Sequence, residues 1–437
     1  MIIQKIETWW VRRNKCLFDD KRKGKSAMDW DVMVLKLTTD TGIEGIATAL
    51  AARSGNVTEA YIHDNIAPVV LGRSPYDHEK IWHELWNIDR HLTFFPVYLP
   101  GPIDVALWDI CAKAAGLPLY QYLGAYREQL PVYASGLFHN TEQEYIDEAL
   151  YYQKRGIKCY KVHPCGPVET DMRIHENLRK AVGDDFGLMS DPVAEYTLDE
   201  AIRVGRQLER LNYIWLEEPF RDFELYKYSQ LCEALDIPIA ATETTRGCHW
   251  GVAQVINQKA ADIVRADVSW KCGITGTLKI CHLAESFGMN CEIHTTTMNY
   301  MDIVNLHVSC AIRNCKWFEY FVPEEDFQFP MKGLLPIDEH GMITVPKEPG
   351  IGVELDWDLI HNNCVSYKEL SLDKKSQNSN LKFQTSKFKV YAWIFAKRRS
   401  QRYSQCRCGN LSGGVCTPCG STHRPALSGR GRSPDRF

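Results

Sequence analysis

What this sequence lacks narrows it before any motif does. No apolar run approaches the roughly 18 residues that a membrane-spanning helix needs. The start, Met1-Ile2-Ile3-Gln4-Lys5-Ile6-Glu7, has no basic-then-apolar leader design. A cytoplasmic protein with no membrane partner is the expectation. Zinc-type cysteine spacing is missing from the first 367 residues, although twelve of the sixteen cysteines lie there, several inside apolar stretches (Cys111, Cys281, Cys310). That usage fits reduced thiols better than a disulfide scaffold. Basic surplus is also absent from the main part of the chain. Residues 368–437 hold 15 Lys/Arg and 3 Asp/Glu of the chain's 51 and 55, which leaves the first 367 with 36 and 52. An acidic body of this kind excludes a general nucleic-acid-binding surface and points to small-molecule partners.

What is present is length and a regular alternation. A chain of 437 residues, 45% apolar and 24% charged, is too long for one small module and can hold a large α/β barrel beside a smaller domain. Residues 1–125 read as an α+β domain, with alternating segments at Met33-Val34-Leu35-Lys36-Leu37 and Gly45-Ile46-Ala47 and helical patterns at about 57–70, 76–90 and 101–115. From Pro131 to about Phe321, eight β-rich runs alternate with helix-length amphipathic stretches. They are 132–137, 157–163, 186–191, 213–217, 237–243, 263–267, 289–294 and 316–319. Eight parallel strands close a TIM-type barrel. An open doubly wound sheet is the competitor, and no Gly-rich phosphate turn follows the first run to support it.

The ends of these runs carry chemistry. They fall at Lys161 and His163, Asp191, Glu217, Glu243, Asp267, His294 and Glu319, and from Asp191 onward the intervals are 26, 26, 24, 27 and 25 residues, one βα unit each. All would meet at the C-terminal mouth, where barrel enzymes place their sites. Asp191, Glu217 and Glu243 are three carboxylates that cannot stay ionised together without a cation, and an all-oxygen set points to Mg²⁺, with Mn²⁺ as substitute. The plainer alternative is that each acid caps a helix or pairs with a base, which explains one acid at a time but not three at equal spacing. Lys161 and His163 share one face of their strand. Opposite them, Asp267 would orient His294 as a general base. A divalent cation flanked by bases suits abstraction of the proton α to a carboxylate through an enolate. Glu319, protonated in so acidic a mouth, would donate a further hydrogen bond to the substrate carboxylate.

The chain resembles the enolase superfamily, and within it the mandelate racemase subgroup, over about residues 1–367. Beyond the strand ends, the likeness is carried by Ala106-Leu107-Trp108-Asp109 with Gly116-Leu117-Pro118-Leu119-Tyr120, Trp215-Leu216-Glu217-Glu218-Pro219, Gly273-Ile274-Thr275-Gly276 and Pro349-Gly350-Ile351-Gly352-Val353. The resemblance implies a modified (β/α)₇β TIM barrel over 126–345, an α+β cap over 1–125 and a segment, 346–367, that returns to the cap. It implies Asp191, Glu217 and Glu243 as Mg²⁺ ligands and Lys161 beside the substrate carboxylate. It further implies His294 with Asp267 as the acid/base dyad, Glu319 as the electrophilic donor, and a homo-oligomer. Two positions depart from the subgroup: the usual Lys-x-Lys becomes Lys161-x-His163, and the usual Asp-x-Asn becomes Asp191-Pro192-Val193.

Dehydration of an aldonate or aldarate to a 2-keto-3-deoxy acid is the activity this resemblance favours. Racemisation, epimerisation or cycloisomerisation would use the same enolate with His163 as a second base. The loops near 9–30 and 48–56 would set specificity, the first as a lid bearing Trp9, Trp10, Arg12, Arg13, Phe18 and the run Lys21-Arg22-Lys23-Gly24-Lys25. The basic tail, 368–437, reads as disordered, with Cys406-x-Cys408 and Cys416-x-x-Cys419 as a weak zinc pattern. It also supports a rival class, an inactive barrel that binds partners through the tail.

Overall fold

In the N-terminal part, residues 1–52 supply β1 (Ile3–Val11), the short antiparallel pair β2 (Cys16–Phe18) and β3 (Met28–Asp29), and the antiparallel β4 (Asp31–Thr39) and β5 (Glu44–Ala52). The computed structural model describes residues 1–13, 16–18, 28–29, 31–52, 55–92, 99–164, 166–296, 299–327 and 329–372. The tail cysteines, the run 21–25 and Cys165 therefore lie outside the described residues. β1 pairs antiparallel with β4 and escaped the sequence reading, because Ile6, Glu7, Thr8 and Trp9 are buried in succession and give no two-residue alternation. A helix at Pro100–Ala115 follows, opened by Pro100 in its first turn and closed by left-handed Gly116 (φ 68).

The eight β-rich runs become eight parallel strands: β6 (Gln129–Gly136), β7 (Cys159–Val162), β8 (Gly187–Ser190), β9 (Leu216–Glu217), β10 (Ile239–Ala241), β11 (Ile263–Ala266), β12 (Cys291–Ile293) and β13 (Phe318–Val322). They pair in sequence from β6 to β12, and β13 returns to β6, giving a nearly closed barrel. Helices alternate with them; those at Glu142–Lys154 and Leu198–Arg210 each begin with a capping box, Thr141 with Glu144 and Thr197 with Glu200. Inside the barrel, Tyr133, Cys159, Met189, Trp215 and Ala240 form a small apolar cluster. Strand β14 (Met342–Thr344) adds antiparallel to β6.

The chain then returns to the N-terminal sheet as β15 (Cys364–Ser371), giving the order β15-β1-β4-β5. Regular structure therefore continues past Tyr367, where the sequence reading ended the enzyme body. Residues 368–371 pair with Lys5–Thr8. They were missed because β15 is an edge strand, exposed at most positions and without an apolar stripe.

The motifs quoted above build the junction between cap and barrel. Asp104, on the 100–115 helix, accepts from Thr275 N (2.8 Å) and Thr275 Oγ1 (2.7 Å), and Trp108 Nε1 donates to Thr275 Oγ1 (2.9 Å). Gly273 (φ 87) has to be glycine, since a Cβ there would stand 2.5 Å from the Asp104 carboxylate. Asp109 binds Ile46 N (3.1 Å) on one side and Ile351 N (3.0 Å) on the other, tying the returning segment to the cap.

Candidate active site

Parallel register carries the functional side chains to one end. Ser135, Lys161 and Met189 align across β6, β7 and β8, Ser190 aligns with Leu216 across β8 and β9, and Glu217 aligns with Ala240 across β9 and β10. Asp191, Glu217 and Glu243 consequently converge: one carboxylate oxygen from each lies within 4.8 Å of the others. Lys161 Nζ is buried among carboxylates, 3.3 Å from Asp191, 3.0 Å from Glu217 and 2.7 Å from Glu319. Burial disfavours its charge, but Glu217 and Glu319 outweigh this and hold its pKa well above the usual lysine value. Asp191 also resists burial: Lys161 and His163 keep it below the ordinary carboxylate range.

Glu243 is different. Burial lifts it to about 7, with His294 offsetting part of the rise. Its Oε2 is buried and accepts no hydrogen bond. An orphaned carboxylate oxygen beside two more carboxylates is a donor set that fits a hard divalent cation.

An imidazole flanks the triad on each side. His294 Nδ1 donates to Asp267 Oδ2 (3.0 Å), while Asp267 Oδ1 accepts the N–H groups of Ser269 and Trp270, both at 2.7 Å. Nδ1 is thereby committed to the aspartate, and Nε2 faces Glu243 at 3.5 Å. Burial opposes protonation of His294, yet Glu243, the Asp267 hydrogen bond and Glu319 raise it to about 9. On the other flank, His163 Nδ1 donates to the Gly136 carbonyl and Nε2 lies 3.2 Å from Asp191.

Two domain families match the chain. Residues 144–359 match the family described as Enolase C-terminal domain-like, and residues 24–124 match the Mandelate racemase / muconate lactonizing enzyme N-terminal domain. The L-talarate/galactarate dehydratase of Salmonella typhimurium is 33% identical over 298 residues, covering 66% of this chain and 73% of the relative. The chain belongs to the enolase superfamily. An arabinonate dehydratase of Saccharolobus solfataricus is 29% identical over 337 residues (76% of this chain, 90% of the relative). Among solved structures, that of a D-glucarate dehydratase from Agrobacterium tumefaciens complexed with magnesium superposes with a TM-score of 0.76 at 31% identity, covering 84% of this chain and all of that one.

Within this enolase-superfamily site, Glu319 corrects the sequence reading. It was expected as a protonated donor, but its carboxylate only accepts: from Ser135 Oγ (2.9 Å), Lys161 Nζ, Arg265 Nη2 (2.6 Å) and Thr295 N (3.1 Å). Burial would raise its pKa, but Lys161 and Arg265 overcome that and hold it well below the usual range. Arg265 is the residue the sequence reading missed. It is fully buried, with Nε 2.9 Å from Glu217 and Nη1 donating to Tyr133 Oη (3.1 Å). The available signal was a charge in the middle of the buried run 263–266, two residues before Asp267 and on the same face of the strand.

The lid is corrected in part. Trp9 is a core residue of the cap, packed edge-on to Trp357 at 5.1 Å, and Trp10 Nε1 is anchored on Asp31 (2.8 Å). Arg13 lies over Phe329, in the segment after β13, at 5.6 Å.

Proposed function

We propose that this chain is a Mg²⁺-dependent acid-sugar dehydratase, converting an aldonate or aldarate into a 2-keto-3-deoxy acid in the cytoplasm. The observation that carries the proposal is the convergence of the three carboxylates between Lys161 and the His294–Asp267 pair. Asp191, Glu217 and Glu243 would hold the cation, which when bound stabilises negative charge developing on the substrate carboxylate. In this reading the barrel of 126–345 supplies the chemistry, and the cap of 1–125 with the returning segment closes over a small carboxylate substrate.

Lys161 adds a fixed positive charge beside that carboxylate. Glu319 is ionised and works as a partner of Lys161 and Arg265, keeping both oriented rather than donating to substrate. In its neutral form, with Nδ1–H on Asp267, His294 removes the α-proton through Nε2; the C–H electron pair becomes the C=C bond, and the β-hydroxyl leaves as water with a proton from His294 or His163. The resulting enol tautomerises to the 2-keto product. Asp267 favours each step that leaves a proton on His294, because its carboxylate stabilises the imidazolium.

A second reading is favoured by one observation: His163 and His294 each aim Nε2 at an outer member of the triad, so a proton taken on one flank can be returned on the other. That is racemase, epimerase or cycloisomerase chemistry. A screen of aldonic and aldaric acids with Mg²⁺, scored for 2-keto acid formation and for α-deuterium uptake from D₂O, tests both. Keto-acid formation from at least one of them is expected. Isotope uptake without keto acid would favour the second reading, and neither signal on any acid would refute both.

A further inference from the structure

Glu218 stands next to Glu217, and the three carboxylates and their flanking bases leave it no task, yet its carboxylate takes two backbone N–H groups of the segment that carries Glu243. It is buried, with a left-handed φ of 34. Its amide donates to Ala240 O (3.0 Å) and its carbonyl accepts from Ala194 N (2.8 Å), so its main chain ties the end of β10 to the turn that follows Asp191. That turn is itself left-handed at Val193 (φ 54) and Ala194 (φ 62). The Glu218 carboxylate points the other way. Oε1 accepts from both Thr242 N (3.0 Å) and Glu243 N (2.9 Å), and Oε2 accepts from Thr244 Oγ1 (3.4 Å).

The backbone it grips is strained. Thr242 has φ 95, a conformation that a β-branched residue adopts only when its surroundings over-determine it. Thr242 is held from one side by its hydroxyl, which donates to Arg265 O (2.7 Å), and from the other by the Glu218 carboxylate. Release of the Glu218 side would let this segment relax, and Glu243 would turn away from Asp191 and Glu217.

We propose that Glu218 is the positioning residue of the metal site, holding the Glu243 segment through its carboxylate and the Asp191 turn through its backbone, without itself ligating. The inference rests on the Mg²⁺ reading of the triad. Its requirement is reach, not charge: a glutamine oxygen can accept the same two N–H groups, whereas an aspartate, one methylene shorter, cannot.

The test is titration calorimetry of Mg²⁺ into the metal-free, full-length protein. Wild type should bind, Glu218→Gln should bind within about threefold of it, and Glu218→Asp should bind about 10–100-fold more weakly, the usual effect of losing a partner that orients a ligand. Glu218→Met carries the same expectation as the aspartate variant and replaces it should that one fail to fold. Equal affinity in wild type and Glu218→Asp, or equal weakening in Glu218→Gln and Glu218→Asp, overturns the inference. No binding by wild type would instead overturn the metal reading on which it stands.

Discussion

Asp267→Asn makes the most discriminating single change, because the structure dictates how the new amide must sit. Asp267 Oδ1 accepts two backbone N–H groups at 2.7 Å, from Ser269 and Trp270. The amide oxygen has to occupy that place, since an NH₂ there would oppose two donors and leave them unpaired, at roughly 1–3 kcal/mol each. The NH₂ then takes the Oδ2 position, 3.0 Å from His294 Nδ1. Nδ1 must now accept, which moves the imidazole proton to Nε2, the nitrogen that faces the mouth. The base is still present but protonated at the wrong end, and its stabilising carboxylate is gone. General-base catalysis is worth about 10²–10⁴ in rate, so kcat should fall on the order of 10³-fold, with KM for the substrate changed little. Steady-state turnover and α-deuterium exchange in D₂O should fall together, while Mg²⁺ affinity stays near wild type because Asp267 is outside the triad. A kcat within tenfold of wild type would refute the dyad.

His294→Asn should abolish turnover and α-proton exchange while calorimetric Mg²⁺ binding persists; substantial activity in that variant removes His294 from the mechanism. Arg265→Met leaves Glu217 and Glu319 buried without their guanidinium partner, and should destabilise the protein by about 3–5 kcal/mol, read from urea unfolding; a change under ~1 kcal/mol would show that Lys161 suffices. Stability should also depend on His307, which is buried, accepts from Tyr120 N (3.0 Å) at Nδ1 and donates to Ile351 O (2.9 Å) at Nε2. Burial lowers it to about 4 from an ordinary value near 6.5. Its contribution is therefore complete above pH 6.5 and declines as pH falls toward 4, where the unfolded chain takes up a proton that the folded one refuses; roughly 2–3 kcal/mol should be lost by pH 4.5. In His307→Gln the slope of unfolding free energy over that window should flatten, and a slope parallel to wild type would contradict the assignment.

The strand-end residues were legible in the sequence because a barrel forces periodicity on its mouth: one polar residue per βα unit, at nearly constant spacing from Asp191 to Glu319. The capping boxes at Thr141 and Thr197 mark helix starts in the same local way. What stayed hidden is set by long-range pairing. β1 and β15 are separated by more than 350 residues, and neither has the two-residue alternation that marks a half-buried strand. Arg265 was overlooked because a lone arginine in an apolar run shows nothing of the carboxylates it meets. The ionised state of Glu319 follows from Lys161 and Arg265 standing on two sides of it, an arrangement that only folding creates.

The order β15-β1-β4-β5 has a consequence for synthesis. Strand β1 leaves the ribosome ahead of both its partners: one edge is paired by β4 within about forty residues, but the other waits for residues 364–371. At about 5–20 residues per second that interval is on the order of tens of seconds. Through that time the nascent chain carries an open strand edge with Ile6 and Trp9 beside it, the kind of surface that recruits neighbouring chains. Shortening the chain before Cys364 would make that transient state permanent, so a variant lacking β15 should aggregate during expression even though every residue of the barrel mouth is intact.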